Sequence, residues 1–351
     1  FGLLLAYAIG IFSALLIQGQ PRPFERAWSK IEGILFRVMG VDKDAPMTWQ
    51  QYTWALLFTN GLVIAVGAIL LAWQGMTPDL AVNTASSFAT NTDLQHYAGE
   101  TITMLSQLWL VFEMFVAPAS GFAACYAFLR CFHYTNRNVG NFYVDLTRVI
   151  LNILFPIAIV GGIILMGLGL PQTLSGSLTT GSFTGGPLTV STGPAAAWES
   201  IKQFGNNGGG FFGANSAHPF ESPNGLSNTV EIILMLAGGF SFPFAYGELF
   251  GRKKGYALQA AILGPWLFLF GVALLSAASS AGPAARSPTA RGSTTLKTNE
   301  GGTALRQRRR VPGFGVVVST GCTSTRSKRE AYFSRSPCSA GSPTNRRAMG
   351  G

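Results

Sequence analysis

The chain has 351 residues, 48% of them apolar and only 11% charged, and its mean hydropathy is +0.31. Soluble domains carry about 25% charged residues, so this deficit excludes a water-soluble globular protein. The net charge of +10 suggests a nucleic-acid partner, but 13 of the 25 basic and only 2 of the 15 acidic residues lie beyond residue 281, which leaves the body of the chain nearly neutral.

Six apolar stretches are long enough to cross about 30 Å of hydrocarbon at about 1.5 Å per residue. They are roughly residues 1–18, 52–73, 104–129, 149–170, 229–250 and 256–280, the first being marginal. The segments between them alternate in charge. Residues 19–51 hold Arg22, Arg26, Lys30, Arg37 and Lys43; residues 130–148 hold Arg130, Arg137 and Arg148; and the 251–255 turn holds Arg252, Lys253 and Lys254. The two intervening loops, 74–103 and 171–228, hold only Lys202. By the excess of Lys and Arg on cytoplasmic loops, the N-terminus is expected outside and the basic loops inside.

Those two outer loops are nearly uncharged and rich in Asn, Thr, Ser and Gly. One reads MTPDLAVNTASSFATNTDLQHYAGE (76–100) and the other GPAAAWESIKQFGNNGGGFFGANSAHPFESP (193–223). At an offset of 116, Thr84 falls on Ser200, Phe88 on Phe204, Thr90 on Asn206 and Asn91 on Asn207. Each loop is flanked by two apolar spans, so the chain reads as a repeat of span, polar loop, span. Irregular backbone survives in a membrane only where it lines a wet cavity or is buried in protein. A short helix over 79–87 or 195–203 could enter from outside and turn back through small residues whose carbonyls replace the water shell of a cation. Gly208, Gly209 and Gly210 suit such a turn. An ordinary external loop is the alternative.

Other motifs carry less. Gly208-x-Gly210-x-x-Gly213 matches a dinucleotide fingerprint without the strand–helix unit it needs. His96, His133 and His218 are scattered, and Cys125, Cys131, Cys322 and Cys338 form neither a disulfide framework nor a zinc spacing. Glu113 and Glu231 fall within apolar spans, where carboxylates are functional candidates. Asp145 and Arg148 read as an i,i+3 pair at a helix start. Residues 282–351 are basic, poor in apolar residues and expected to be disordered. Six spans would place them outside, against the charge rule, which points to a change of reading frame near residue 282.

The strings NTASSFATNTDLQHYAGE, ESIKQFGNNGGGFFGANSAHPFE, FRVMGVD and GNFYVDLTR resemble the potassium-binding subunit family of the bacterial Kdp potassium pump, over about residues 1–281. The resemblance implies an all-α polytopic membrane protein of potassium-channel-like repeats, each a helix, a re-entrant pore loop and a helix. The expected organisation is a leading helix and cytoplasmic loop (1–51), a first pore repeat (52–130), a second (131–255), the opening helix of a third (256–281) and the tail (282–351).

It further implies a filter that binds external K+ through backbone carbonyls. Thr90, Asn91, Thr92 and Asp93 stand for the first strand, Asn206, Asn207, Gly208, Gly209 and Gly210 for the second, and Gln95 lies just beyond the first. The family commonly reads TNTNWQ and TNGGGF where this chain has TNTDLQ and NNGGGF. The implied setting is the bacterial plasma membrane. The implied partners are a catalytic P-type ATPase subunit, which hydrolyses ATP, a small third subunit and membrane lipid, with no nucleic acid and no organic cofactor. This chain itself is non-catalytic and, with two loops of four, is expected to be truncated and inactive alone. A stand-alone potassium channel or symporter, or a non-conducting scaffold, is the alternative.

Overall fold

A computed structural model describes residues 1–21, 23, 25–92, 102–134, 139–181, 186–212, 215–280, 294–297 and 303–306. All of these lie in one compact unit, Phe1–Gly321; a second, Cys322–Gly351, is outside the described residues.

The apolar stretches are helices. They are α1 (Gly2–Gln18), α3 (Trp49–Trp73), α5 (Met104–His133), α6 (Phe142–Val149) continuing through a π-turn (Ile150–Leu154) into α7 (Phe155–Gly167), α9 (Gly225–Phe250) and α10 (Arg252–Ser280). Five are long and apolar enough to cross a membrane, counting Phe142–Gly167 as one. At 17 residues, α1 spans roughly 25 Å, and it packs along α9. Polar caps mark where several begin. Thr48 and Gln51 form a reciprocal capping box on α3, and Asn224 and Ser227 do the same on α9, each satisfying amides that a helix start leaves unpaired.

The fourth span begins at Phe142 rather than near 149. Polar Asp145 and Arg148 enter the helix because each has a partner elsewhere. Asp145 does not pair with Arg148, as the i,i+3 spacing suggested. It takes a bidentate grip from Arg130 of α5, at 2.6 and 2.8 Å, and a hydroxyl from Tyr52 of α3 at 3.0 Å. Arg130 also donates to the carbonyls of Ile17 and Val139. Arg148 turns to Glu32, 3.4 Å away. These bonds bring the end of α1, the end of α5 and the start of α6 together at one end of the bundle, the same end that the basic residues mark.

Four short elements complete the body. A helix, α2 (Glu25–Met39), occupies the segment read as a basic loop. Two more, α4 (Pro78–Ala89) and α8 (Ala195–Phe204), stand where the outer loops were expected to carry short helices. A β-hairpin, β1 (Ser177–Gly181) against antiparallel β2 (Pro187–Ser191), precedes α8. It has no counterpart before α4 and was not anticipated from the sequence. In the tail expected to be disordered, β3 (Thr294–Lys297) pairs with antiparallel β4 (Thr303–Arg306).

The core runs through the middle of the bundle. Phe88, Leu110, Met114, Tyr126, Leu154, Trp198, Phe204, Phe211 and Phe212 are almost wholly buried. The outer helices expose apolar side chains instead, α10 most of all: only 6% of its spanning window is covered.

Removing Asp145 strands the buried Arg130 cation. Asp145→Ala is expected to destabilise the purified protein by about 3–5 kcal/mol, read as a lowered thermal midpoint in detergent. Asp145→Leu with Arg130→Met should recover most of that loss, since no charge is left unpaired.

Candidate functional site

The site forms where α4 and α8 end. Both helices stop in the same way. Thr90, Asn91 and Thr92 donate their backbone N–H groups to Ser86, Phe88 and Ser87. Gly205, Asn206 and Asn207 donate theirs to Ile201, Gln203 and Lys202. Each set tightens the last turn and satisfies carbonyls that a helix end leaves free. Asn91 and Asn206 occupy the left-handed region, at φ 57° and 54°, which Asn tolerates better than other side chains. The backbone correspondence between the two exits therefore runs at an offset of 115, one less than the sequence alignment, because α8 begins and ends in a different register from α4.

The two exits touch. The Asn91 side-chain amide donates to the carbonyls of Gly205 and Asn206, at 3.1 and 3.3 Å. In return the Asn207 amide donates to Asn91 Oδ1 at 2.6 Å and to the Met114 carbonyl at 3.4 Å. Asn206 fastens the junction to α9 by donating to the Met235 carbonyl at 3.1 Å. That helix approaches so closely at Gly238 that a Cβ there would collide with the Phe204 carbonyl. Beyond Asn207 the chain turns through Gly208 and Gly209 at φ 89° and 58°, and Gly208, Gly209 and Gly210 are all buried.

Residues placed far apart in sequence thus meet: Asn91, Asn206 and Asn207 form one hydrogen-bonded cluster. Thr90 and Thr92 flank it, more exposed, with their hydroxyls 3.1 Å apart. Asp93 and Gln95 lie outside the described residues.

The helix ends face a cavity of about 620 Å³. Thr90, Asn91, Gly205 and Asn206 line one side of it, and α3, α5 and α9 close the others through Asn60, Ser120 and Phe242. A helix C-terminus carries about half a negative charge. Two such ends directed at one cavity make it favourable for a cation, without a carboxylate having to be buried in it.

Aromatic packing holds the exits from behind. Trp198 meets Phe88 edge-to-face at 6.1 Å and Phe211 at 5.6 Å, so α4, α8 and the chain after the glycines share one cluster. His218 stacks on Phe212 at 4.0 Å and serves the packing of the returning chain.

A buried ionic network braces the second exit and escaped the sequence reading. Lys202 contacts Glu199 at 2.6 Å, Glu221 at 3.2 Å and the Ser216 hydroxyl at 2.6 Å. Gln203 donates to Glu199 and Ser216, and the Phe212 N–H donates to Glu221 at 2.6 Å. Glu231 of α9 is buried beside the same groups. The i,i+3 spacing of Glu199 and Lys202 was the available signal; the third member, Glu221, comes from beyond the turn. Glu113 is elsewhere, receiving the Trp109 indole N–H at 2.6 Å against α3.

Two carboxylates share one lysine here. Burial pushes the Glu221 carboxyl up to about 7; Lys202 draws it down again and Glu199 raises it. A folded-state pKa above the unfolded value of about 4.3 contributes stability that is full below about pH 4. That contribution is lost as pH rises through about 7. Glu221→Gln keeps an oxygen for Phe212 and leaves Glu199 with Lys202 as a neutral pair. Its thermal midpoint should exceed that of the unaltered protein above about pH 7 and converge with it in acid. Lys202→Met, which leaves the carboxylates unopposed, should lower the midpoint at neutral pH.

A family model described as the potassium-transporting ATPase A subunit matches residues 1–306, running past residue 281, where the sequence resemblance stopped. The membrane-crossing helices, the neutral helix ends on a central cavity and this match agree. The chain belongs to the potassium-transporting ATPase A subunit family, the potassium-binding, non-catalytic membrane subunit of that transport system.

Proposed function

We propose that the loops following α4 and α8 are two re-entrant strands of a potassium filter that selects K+ from outside the cell. One observation carries the reading: Asn91 and Asn207 join the C-terminal ends of two short helices over a cavity of about 620 Å³. Thr90, Asn91, Thr92 and Asp93 form the first strand, with Gln95 just beyond it; Asn206, Asn207, Gly208, Gly209 and Gly210 form the second. Support comes from the positive φ at Asn206, Gly208 and Gly209, which re-aims successive carbonyls as a helical or extended run does not. Asn207 Oδ1 is buried without a hydrogen-bond donor among the described residues, and a cation would satisfy such an oxygen.

In this reading K+ loses its water to carbonyl oxygens and side-chain oxygens of the strands. It then enters the cavity, where the ends of α4 and α8 offset part of the cost of holding a monovalent charge away from bulk water. Within the cavity the ion is met by dipoles rather than by a fixed anion, while Asp93 of the first strand adds a negative charge near the filter mouth. ATP is hydrolysed by a separate P-type ATPase subunit, and a small third subunit completes the complex. The chain lies in the bacterial plasma membrane with its N-terminus outside and its basic loops in the cytoplasm. The first repeat is residues 52–130, the second 131–255 and the start of a third 256–281, after the leading segment 1–51.

Gly208→Asp tests the reading in the complete transport complex. The change sets a Cβ on a backbone at φ 89° and a carboxylate among the filter oxygens. Half-saturation for K+ uptake should rise at least about tenfold, while the purified complex retains its subunits. Unchanged uptake at micromolar K+ would instead make the chain a scaffold, and uptake that persists when the ATPase subunit is deleted would make it a channel or symporter.

A further inference from the structure

The helix α2 has three distinct sides. At about 3.6 residues per turn, Glu32 and Phe36 fall on one; both are buried, at 3% and 5% exposure. Arg148 and Asn152 donate to the Glu32 carboxylate at 3.4 and 3.2 Å, so this side is tied to the bundle. A second side carries Ile31, Ile34, Leu35 and Val38, all exposed, Ile34 at 61% and Val38 at 80%. A third carries Arg26, Lys30 and Arg37, also exposed and gathered along the flank of the apolar side. Glu25 and Glu32, the acidic residues of the helix, fall away from the apolar side, Glu25 exposed and Glu32 buried.

This sorting into apolar, cationic and protein-facing sectors is not that of a solvated helix, which would not expose four aliphatic side chains in a row. Nor is it that of a buried one. Its place in the chain narrows the occupant. The helix starts seven residues after α1 ends at Gln18. Its tether is the start of the fourth span, at the end of the bundle where Arg130 bonds the Ile17 carbonyl. The helix therefore lies at the end of the bundle where the first span ends and the fourth begins.

We propose that α2 is an interfacial helix that seats Ile31, Ile34, Leu35 and Val38 among acyl chains and gathers anionic lipid headgroups through Arg26, Lys30 and Arg37. An apolar face with Lys and Arg along its flank binds a bilayer by burial and by attraction to anionic lipid together. Through Glu32, Arg148 and Asn152 the seat of the helix is coupled to the start of the fourth span and its π-turn. The inference stands independently of the potassium reading.

The full chain, with its four cysteines replaced by alanine, is labelled with an environment-sensitive fluorophore at Ile34→Cys and reconstituted into vesicles. The vesicles contain phosphatidylcholine and phosphatidylglycerol in equal amounts, with either lipid brominated on its acyl chains. Quenching by brominated phosphatidylglycerol should exceed that by brominated phosphatidylcholine at least about threefold. Arg26→Gln, Lys30→Gln and Arg37→Gln together should equalise the two and leave acyl-chain quenching in place. Val38→Cys repeats the measurement if the first label disturbs folding. Equal quenching by both lipids in the unaltered helix would overturn the proposal. So would quenching by aqueous iodide in place of brominated lipid, and so would protection that arises only when partner subunits are added, which would make the face a protein-docking surface.

Discussion

The amide side chain of Asn91 bonds to the carbonyls of Gly205 and Asn206 and receives the amide of Asn207. This small exchange joins two helices that end in the interior of the bundle, where unpaired backbone groups are costly. Without it each exit would need its own partners among apolar neighbours such as Phe88, Met114 and Phe204. With it, the ends satisfy one another and stay side by side over the cavity. The close approach of α9 at Gly238 and the aromatic cluster around Trp198 follow from that arrangement.

Charge is handled differently at the two ends of the bundle. At the basic end, Arg130 and Asp145 form a neutral, bidentate pair that also takes up the Tyr52 hydroxyl and two carbonyls. The pair locks α1, α3, α5 and α6 at one level. At the other end, α8 carries its own buried network, with Lys202 set between Glu199 and Glu221. The buried residues of α4 are Ala81, Thr84, Ala85, Ser87, Phe88 and Ala89. The two repeats share a backbone device, the tightened exit with a left-handed Asn. Charge is kept out of the cavity lining itself, in keeping with a proposed filter that works by carbonyl and helix dipoles.

The elements that sequence located best were those governed by local physics. Long apolar runs at helical length marked the spans, and the short helices after Pro78 and Ala195 were placed within a few residues. Elements whose stability comes from distant partners were misread or missed. Apolar content alone starts the fourth span too late, because Asp145 and Arg148 look like a loop's charges until Arg130 and Glu32 are brought to them. The segment of α2 was read only for its charge, although the spacing of Ile31, Ile34, Leu35 and Val38 is legible in hindsight. The hairpin of β1 and β2 has turn residues between its strands, Gly181, Gly185, Gly186 and Pro187, but the strands themselves are short and polar and lack an apolar alternation to mark them.

From its sequence alone this chain is a multi-pass membrane protein with two neutral, Asn- and Gly-bearing loops in repeated surroundings, because hydropathy and charge are properties of single segments. Which atoms those loops present to one another was decided only by tertiary structure. The pairing of Asn91 with Asn207, the register of 115 rather than 116, and the sharing of Lys202 between Glu199 and Glu221 all join residues brought together by helix packing. Such contacts depend on distances across the bundle, which no local pattern encodes.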